Sequence, residues 1–562
     1  MGKRDLLFLT LCIVGLAAIS RTLLSDQRQG LFRGHDRAER QASREPGASP
    51  SSLQTVVEDV DQEFRDAWSR SSADRGAALT PAPEAPLELR IRRASLALMG
   101  SIPSLEELRW LENLDEPARF AAWVEHLLAD KRTANHVAER LTRAFVGTEN
   151  GPFLLYRRSR FHEWLAEQFA ANRPYDEIVR ELISGNGLWT TSPSVNFLTA
   201  TLDANNDNQP DPVRLAGRTS RAFLGMRIDC LQCHDDKLGN VELGESASPR
   251  FGTQRDFHQL AAFFCEANVS VLGIRDRENK YEVEYLGSTE PEETDALPPF
   301  LARIRQQEGP LRQQLAAWVT DEANRPFART AVNRMWALVY GRPLVEPIDD
   351  IPLHAPAGGY PPGLERLADD FIESGFDMQR LIRVLLSVRP FQLDSRAPEL
   401  TTEHFDRWAA FPLTRMRPEQ VAASLLQSCS LKALDDQRHV IVQLQKFGGT
   451  NDFVRRYGDT GEDEFKEQPG TLPQRLMMMN GELILERTAG DTLLGSPARI
   501  ARMAATDEQA VEIAYLCVLT RRPSQRELDH FVEGIKNNDN RHESLTDLFW
   551  VLLNSTEFNW SH

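Results

Sequence analysis

The sequence predicts a mainly α protein: two helical domains with a small β-hairpin and linker between them, after an N-terminal signal or anchor and a disordered tether. Three observations point there. Apolar residues recur at spacings of three and four along most of the chain, as one buried helix face requires. Gly and Pro fall at the ends of these stretches rather than inside them. Residues 269–286 alone change character, with β-branched, alternating residues around a polar turn. Hydrophobic residues make up 41% of the 562, enough for sizeable cores and too many for wholesale disorder.

Taken in order, Lys3 and Arg4 precede the apolar run Leu6–Ile19, and Arg21 closes it. A basic start with an apolar stretch of this length predicts a signal peptide or signal anchor over 1–24. Residues 25–54 are polar and rich in Arg, Ser and Gln, so they read as a tether. A first helical domain is expected over 55–268. Val57, Val60, Phe64 and Trp68 open it, and Leu87–Leu98 runs into Gly100. Pro103-Ser104-Leu105-Glu106-Glu107 has the form of a helix start. Phe120, Val124, Leu127 and Leu128 share a face, as do Phe161, Leu165 and Phe169. Further helices are expected at Ile178–Ile183, Arg214–Ile228 and Phe257–Cys265. The hairpin and the acidic, Pro-bearing stretch Ser288–Pro299 occupy 269–300. A second helical domain, 301–562, holds helices at Ala328–Tyr340, Gly363–Glu373, Met378–Leu386 and Pro418–Cys429. Pro473–Glu486, Glu508–Leu519, Ser524–Ile535 and Ser544–Leu553 complete it.

Composition excludes several functions. With 65 Lys+Arg against 82 Asp+Glu the net charge is −17, which argues against nucleic-acid binding, since phosphate neutralisation needs a basic face. Six cysteines are too few for a disulfide scaffold. A mean hydropathy of −0.42 with one long apolar run excludes a multi-pass membrane protein. Membrane contact is therefore expected only through residues 6–24. The expected location is outside the cytoplasm, in the periplasm or at the cell surface.

The sharpest local feature is Cys230-Leu231-Gln232-Cys233-His234, the C-x-x-C-H pattern of c-type haem attachment. Two thiols at this spacing can meet two haem vinyl groups, and the following imidazole can turn to the iron. With 6 Cys and 12 His in the chain, the pattern arises by chance roughly once in a thousand such sequences. Three readings stand at this point. One is haem c on Cys230, Cys233 and His234. The second is a zinc or other metal site in which Cys230, Cys233 and His234 are joined by His258 or Cys265. The third is a Cys230–Cys233 disulfide without a cofactor. Exported redox partners, or other exported proteins, are the expected partners.

Other signals are weaker. Asp203, Asn205, Asp207, Gln209 and Asp211 alternate like a calcium loop, but Asn208 stands at the glycine position and Arg214 at the bidentate glutamate. His162-Glu163-Trp164-Leu165-Ala166 lacks the second His of a zincin helix. Nucleophile-elbow, Walker A and dinucleotide fingerprints are missing from the sequence. Met477–Met479 reads as helix core, and Cys429 and Cys517 as buried thiols.

The order of segments resembles the pair of domains of unknown function associated with planctomycete-type cytochrome c proteins. Leu79–Leu108, Asn172–Gly185, Gly217–Gly239 and Gln254–Phe264 carry the likeness in the first domain. Ala328–Ile351, Leu367–Ser395 and the C-terminal DLFWVLLNSTEFNWSH carry it in the second. The resemblance implies an exported, mostly helical protein with a cytochrome-like C-x-x-C-H, and no established activity. Relatives commonly read His-Asp-His after the second cysteine, where this chain has His234-Asp235-Asp236.

Overall fold

A computed structural model describes residues 51–70, 78–148, 155–202, 208–305, 308–397, 399–434, 457, 471–480 and 496–562. The signal or anchor, nearly all of the tether, and residues 203–207 of the calcium-like run lie outside these. Ser52–His562 forms one compact unit. Helices dominate it, and every sheet among the described residues has two strands.

Helix α1 (Leu53–Ser69) buries Val56, Val60, Phe64 and Trp68, a stripe at strict i, i+4 spacing. The stripe is set by Val56 rather than Val57, which is only partly buried. Helix α2 (Leu87–Met99) stops where Gly100 adopts φ 67°. Helix α3 (Leu105–Glu112) starts with a capping box: the Ser104 hydroxyl takes the Glu107 N–H, and Glu107 takes the Ser104 N–H. Helices α4 (Glu116–Ala129), α5 (Lys131–Val146), α6 (Arg158–Ala170) and α7 (Tyr175–Ser184) follow the apolar periodicity.

One large core runs from Val56 through Leu516, so both halves of the sequence contribute to it. A smaller core gathers the C-terminal helices around Phe549 and takes in Leu96 and Ile102 from the first half. Helix α2 therefore faces both. Two of its arginines are fully buried. Arg92 donates to the Val518 and Phe558 carbonyls, and Arg93 to those of Phe391, Leu393 and His562. The two expected domains are thus joined through a shared interior, to which the 288–299 stretch itself contributes Ala296.

The β content differs in detail from the expectation. The hairpin turns at Val271–Leu272, between Ala267–Ser270 and Gly273–Asp276, rather than at the polar residues after Asp276. Gly273 explains the choice. Its φ is +93°, and a Cβ there would stand 2.1 Å from the Gly187 carbonyl oxygen. That close approach lets Gly187 and Ile274 exchange both backbone hydrogen bonds, at 2.9 and 2.8 Å. Three further short ladders were not expected: Glu242–Glu245 with Ser248–Phe251, Glu282–Val283 with Glu292–Glu293, and Thr414–Arg415 with Trp560–Ser561. No helix among the described residues is long and apolar enough to cross a membrane.

Candidate functional site

Helix α8 (Pro212–Leu224) delivers the C-x-x-C-H motif. Asp211 caps its start, accepting from the Val213 and Arg214 N–H groups at 2.9 and 3.3 Å. Gly225, at φ 60°, ends it. The chain then forms a 3₁₀ turn over Asp229–Gln232, with Leu231 fully buried and Cys230, Cys233 and His234 exposed. Leu231 anchors the turn in a slot shaped by Gly252, where a Cβ would meet Leu231 Cδ1 at 2.6 Å.

Helix α9 (Gln254–Ala261) clamps the turn from the other side. The Gln232 carbonyl accepts from Gln254 Nε2 at 3.1 Å and from His258 Nε2 at 3.0 Å. Since His258 Nε2 donates, its Nδ1 accepts from the Tyr281 hydroxyl at 2.8 Å. Burial holds the pKa of this imidazole below the ordinary value. Asp235 accepts from the Gln254 N–H at 2.9 Å. Asp236 accepts from the N–H groups of Val241, Leu238 and Gly239 at 2.7, 3.0 and 3.1 Å. Those bonds, Val241's foremost, keep its carboxyl below the usual range. At this position the side chain organises the loop.

The predicted site residues therefore divide. Cys230, Cys233 and His234 share one turn on the surface, and both thiols are free. Burial raises the Cys230 thiol pKa, and Asp236 and Asp229 add to it, so this sulfur is not an activated thiolate. His234 donates its Nδ1–H to the Asp235 carbonyl at 2.9 Å. His258 touches the same turn but spends both ring nitrogens on structure. Cys265 donates to the Asn279 carbonyl at 3.3 Å, and burial pushes its thiol up to about 11. The structure does not gather Cys230, Cys233, His234, His258 and Cys265 into one ligand set, because the last two side chains are committed elsewhere. Of the calcium-like run, Gln209 accepts from Asn268 and Val269, and Asp211 is the helix cap described above.

One other group with metal-ligand chemistry escaped the sequence reading. Glu107, His126 and Asp130 hold ligand atoms within 4.8 Å of one another. Arg132 stands among them, bonding Asp130 through Nε at 3.0 Å and Nη2 at 2.6 Å, and also Glu107. A guanidinium thus already supplies the positive charge. Burial alone would raise the Glu107 carboxyl, but His126 and Arg132 together hold it at about 2. The group is an ion-pair network at the start of α5. Its signal in the sequence was the capping box, which predicts the place of Glu107 but not its partners.

With this geometry in view, two family models match. Residues 69–268 match PSCyt2, described as a protein of unknown function (DUF1549). Residues 311–446 match PSD1, also described as a protein of unknown function (DUF1553). The two matches, in this order, are consistent with a pair of domains of unknown function. The motif turn, its clamp α9 and Cys265 all fall inside the PSCyt2 match, whereas α1 begins before it. No curated protein and no solved structure matches the chain.

Proposed function

We propose that the turn Cys230–His234 of the PSCyt2 domain is the attachment point of a c-type haem, and that the chain is an exported protein relaying electrons to partners at the cell surface. One observation carries this reading. Two exposed free thiols sit three residues apart, beside an exposed imidazole whose Nδ1–H is fixed on a carbonyl. Imidazoles that ligate metals commonly hold their other N–H in this way. The donor set therefore fits the group, which when bound supplies one-electron redox chemistry. The chain's own contributions are two thiols for covalent anchoring, one imidazole in a fixed tautomer, and a turn pinned by Leu231, Gln254 and His258. A second imidazole from His258 does not fit the arrangement, and Met335 is buried in the core.

The basic start and apolar run at Lys3–Ile19 support export, and haem is attached to such motifs outside the cytoplasm. The test is expression of the full chain with a haem-attachment apparatus. Haem staining on a denaturing gel and a Soret band are expected, and both are lost in the Cys230→Ser, Cys233→Ser double variant. A colourless protein overturns the reading. The alternative is a surface scaffold or interaction protein. The adjacency of two exposed thiols in an oxidising compartment favours its disulfide form over its zinc form, since His258 and Cys265 are committed elsewhere. Metal analysis and thiol counting on the colourless protein separate these two.

A further inference from the structure

Near the motif turn, three large apolar side chains are exposed. Leu238 is 85% exposed, Phe251 58% and Leu286 76%. These are not scattered. The Phe251 ring lies against Gly239, next to Leu238 in the chain. Leu286 is tied to the motif through one side chain, because Gln254 accepts the Leu286 N–H at 2.9 Å and donates to the Gln232 carbonyl. Several large exposed apolar side chains gathered in one region mark interaction surfaces.

The charge around them is predominantly acidic. Residues 229–299 hold 15 acidic against six basic residues, so this short segment carries an excess of nine negative charges out of the chain's 17. Part of that charge is internally paired: Asp256 with Arg250, Glu292 with Arg255, and Glu293 with Lys280. Glu242, Glu284 and Glu290 are exposed, and none of them pairs with a basic side chain among the described residues. Glu242 sits directly across the strand pair from Phe251, and Glu284 lies two residues before Leu286.

We infer that this face, Leu238, Phe251 and Leu286 rimmed by Glu242, Glu284 and Glu290, docks a protein partner with a lysine-rich face around an apolar centre. The inference rests on the redox reading for its purpose, since it places the partner against the thiols and His234, but not for its binding chemistry. Opposite charge steers such an encounter and makes its rate fall with salt, while the apolar centre holds the complex. A membrane surface fits less well, because anionic headgroups would meet like charge.

The test uses the full chain and, as probe, a soluble basic c-type cytochrome, with binding followed by surface plasmon resonance. At low ionic strength the wild type binds, and raising salt to physiological strength weakens binding about tenfold or more. The triple variant Glu242→Lys, Glu284→Lys, Glu290→Lys, whose substitutions are all on exposed side chains, loses about tenfold at low salt with unchanged circular dichroism. Equal binding by wild type and variant overturns the inference. So does no binding, self-association through this face in sedimentation, or a preference for zwitterionic vesicles. Haem staining of the same samples is read separately. Salt-sensitive binding by a colourless chain keeps the docking face and rejects the haem. A haem-bearing chain that ignores the probe does the reverse.

Discussion

His258 is the residue on which the geometry of the motif turn most depends, and its replacement by Phe isolates that role. Phe keeps the ring volume and the edge contacts with Phe257 and Tyr285. It removes the bond to the Gln232 carbonyl and the acceptor for the Tyr281 hydroxyl. Net worth is about 1 kcal/mol per bond, so the loss is about 2 kcal/mol. It is not larger, because Gln254 still serves the Gln232 carbonyl. The effect also has a pH signature. Burial holds the folded-state pKa of His258 below 6.5, so the unfolded chain takes up the proton first as pH falls. The stability due to the neutral imidazole is complete above the unfolded value and is lost as pH drops through the folded one. Urea unfolding followed by tryptophan fluorescence should therefore show a gap of about 2 kcal/mol between wild type and H258F near pH 7.5, narrowing near pH 5.5. Amide exchange of Leu231 and Cys233 should speed up in the variant. A gap under about 0.5 kcal/mol, or one that does not change with pH, refutes the clamp.

Three further outcomes follow from named contacts. Gly252→Ala puts a methyl group among Leu231, Leu243 and Val241, and should cost about 1–3 kcal/mol in urea unfolding, where a neutral result would contradict the slot. Arg93→Met leaves the Phe391, Leu393 and His562 carbonyls without that donor, and should cost about 3–5 kcal/mol in the same assay. Because the core is shared, both halves should lose protection together in hydrogen exchange; loss confined to one half would contradict the single unit. Asp236→Ala should raise exchange at Val241, Leu238 and Gly239 while leaving α2 unaffected, and unchanged exchange at Val241 would refute its part in the loop.

Much of the helical fold was legible because each helix carries its own periodicity and stop. Gly100, Gly225 and Gly341 end helices in the left-handed region, and Ser104 and Glu107 form the capping box their spacing promised. The short ladders were harder to read. Glu242–Glu245 is too short for alternation to register, and the turn at Val271–Leu272 places apolar residues where composition suggests polar ones. The turn position depends on Gly273 meeting Gly187, a contact 86 residues away in sequence. At the site, the local C-x-x-C-H pattern placed three residues in one turn. The extension to His258 and Cys265 rested on ligand chemistry alone. Sequence could not show that Tyr281 and Gln232 occupy the His258 nitrogens, or that Cys265 turns to Asn279.

The central claim is tested most directly on the tryptic peptide Ile228–Lys237, which contains both thiols and His234. After expression with the haem-attachment apparatus, its mass spectrum should show haem bound through both cysteines, with neither sulfur open to alkylation. Two alkylated thiols, or an intact Cys230–Cys233 disulfide with no added mass, would contradict it.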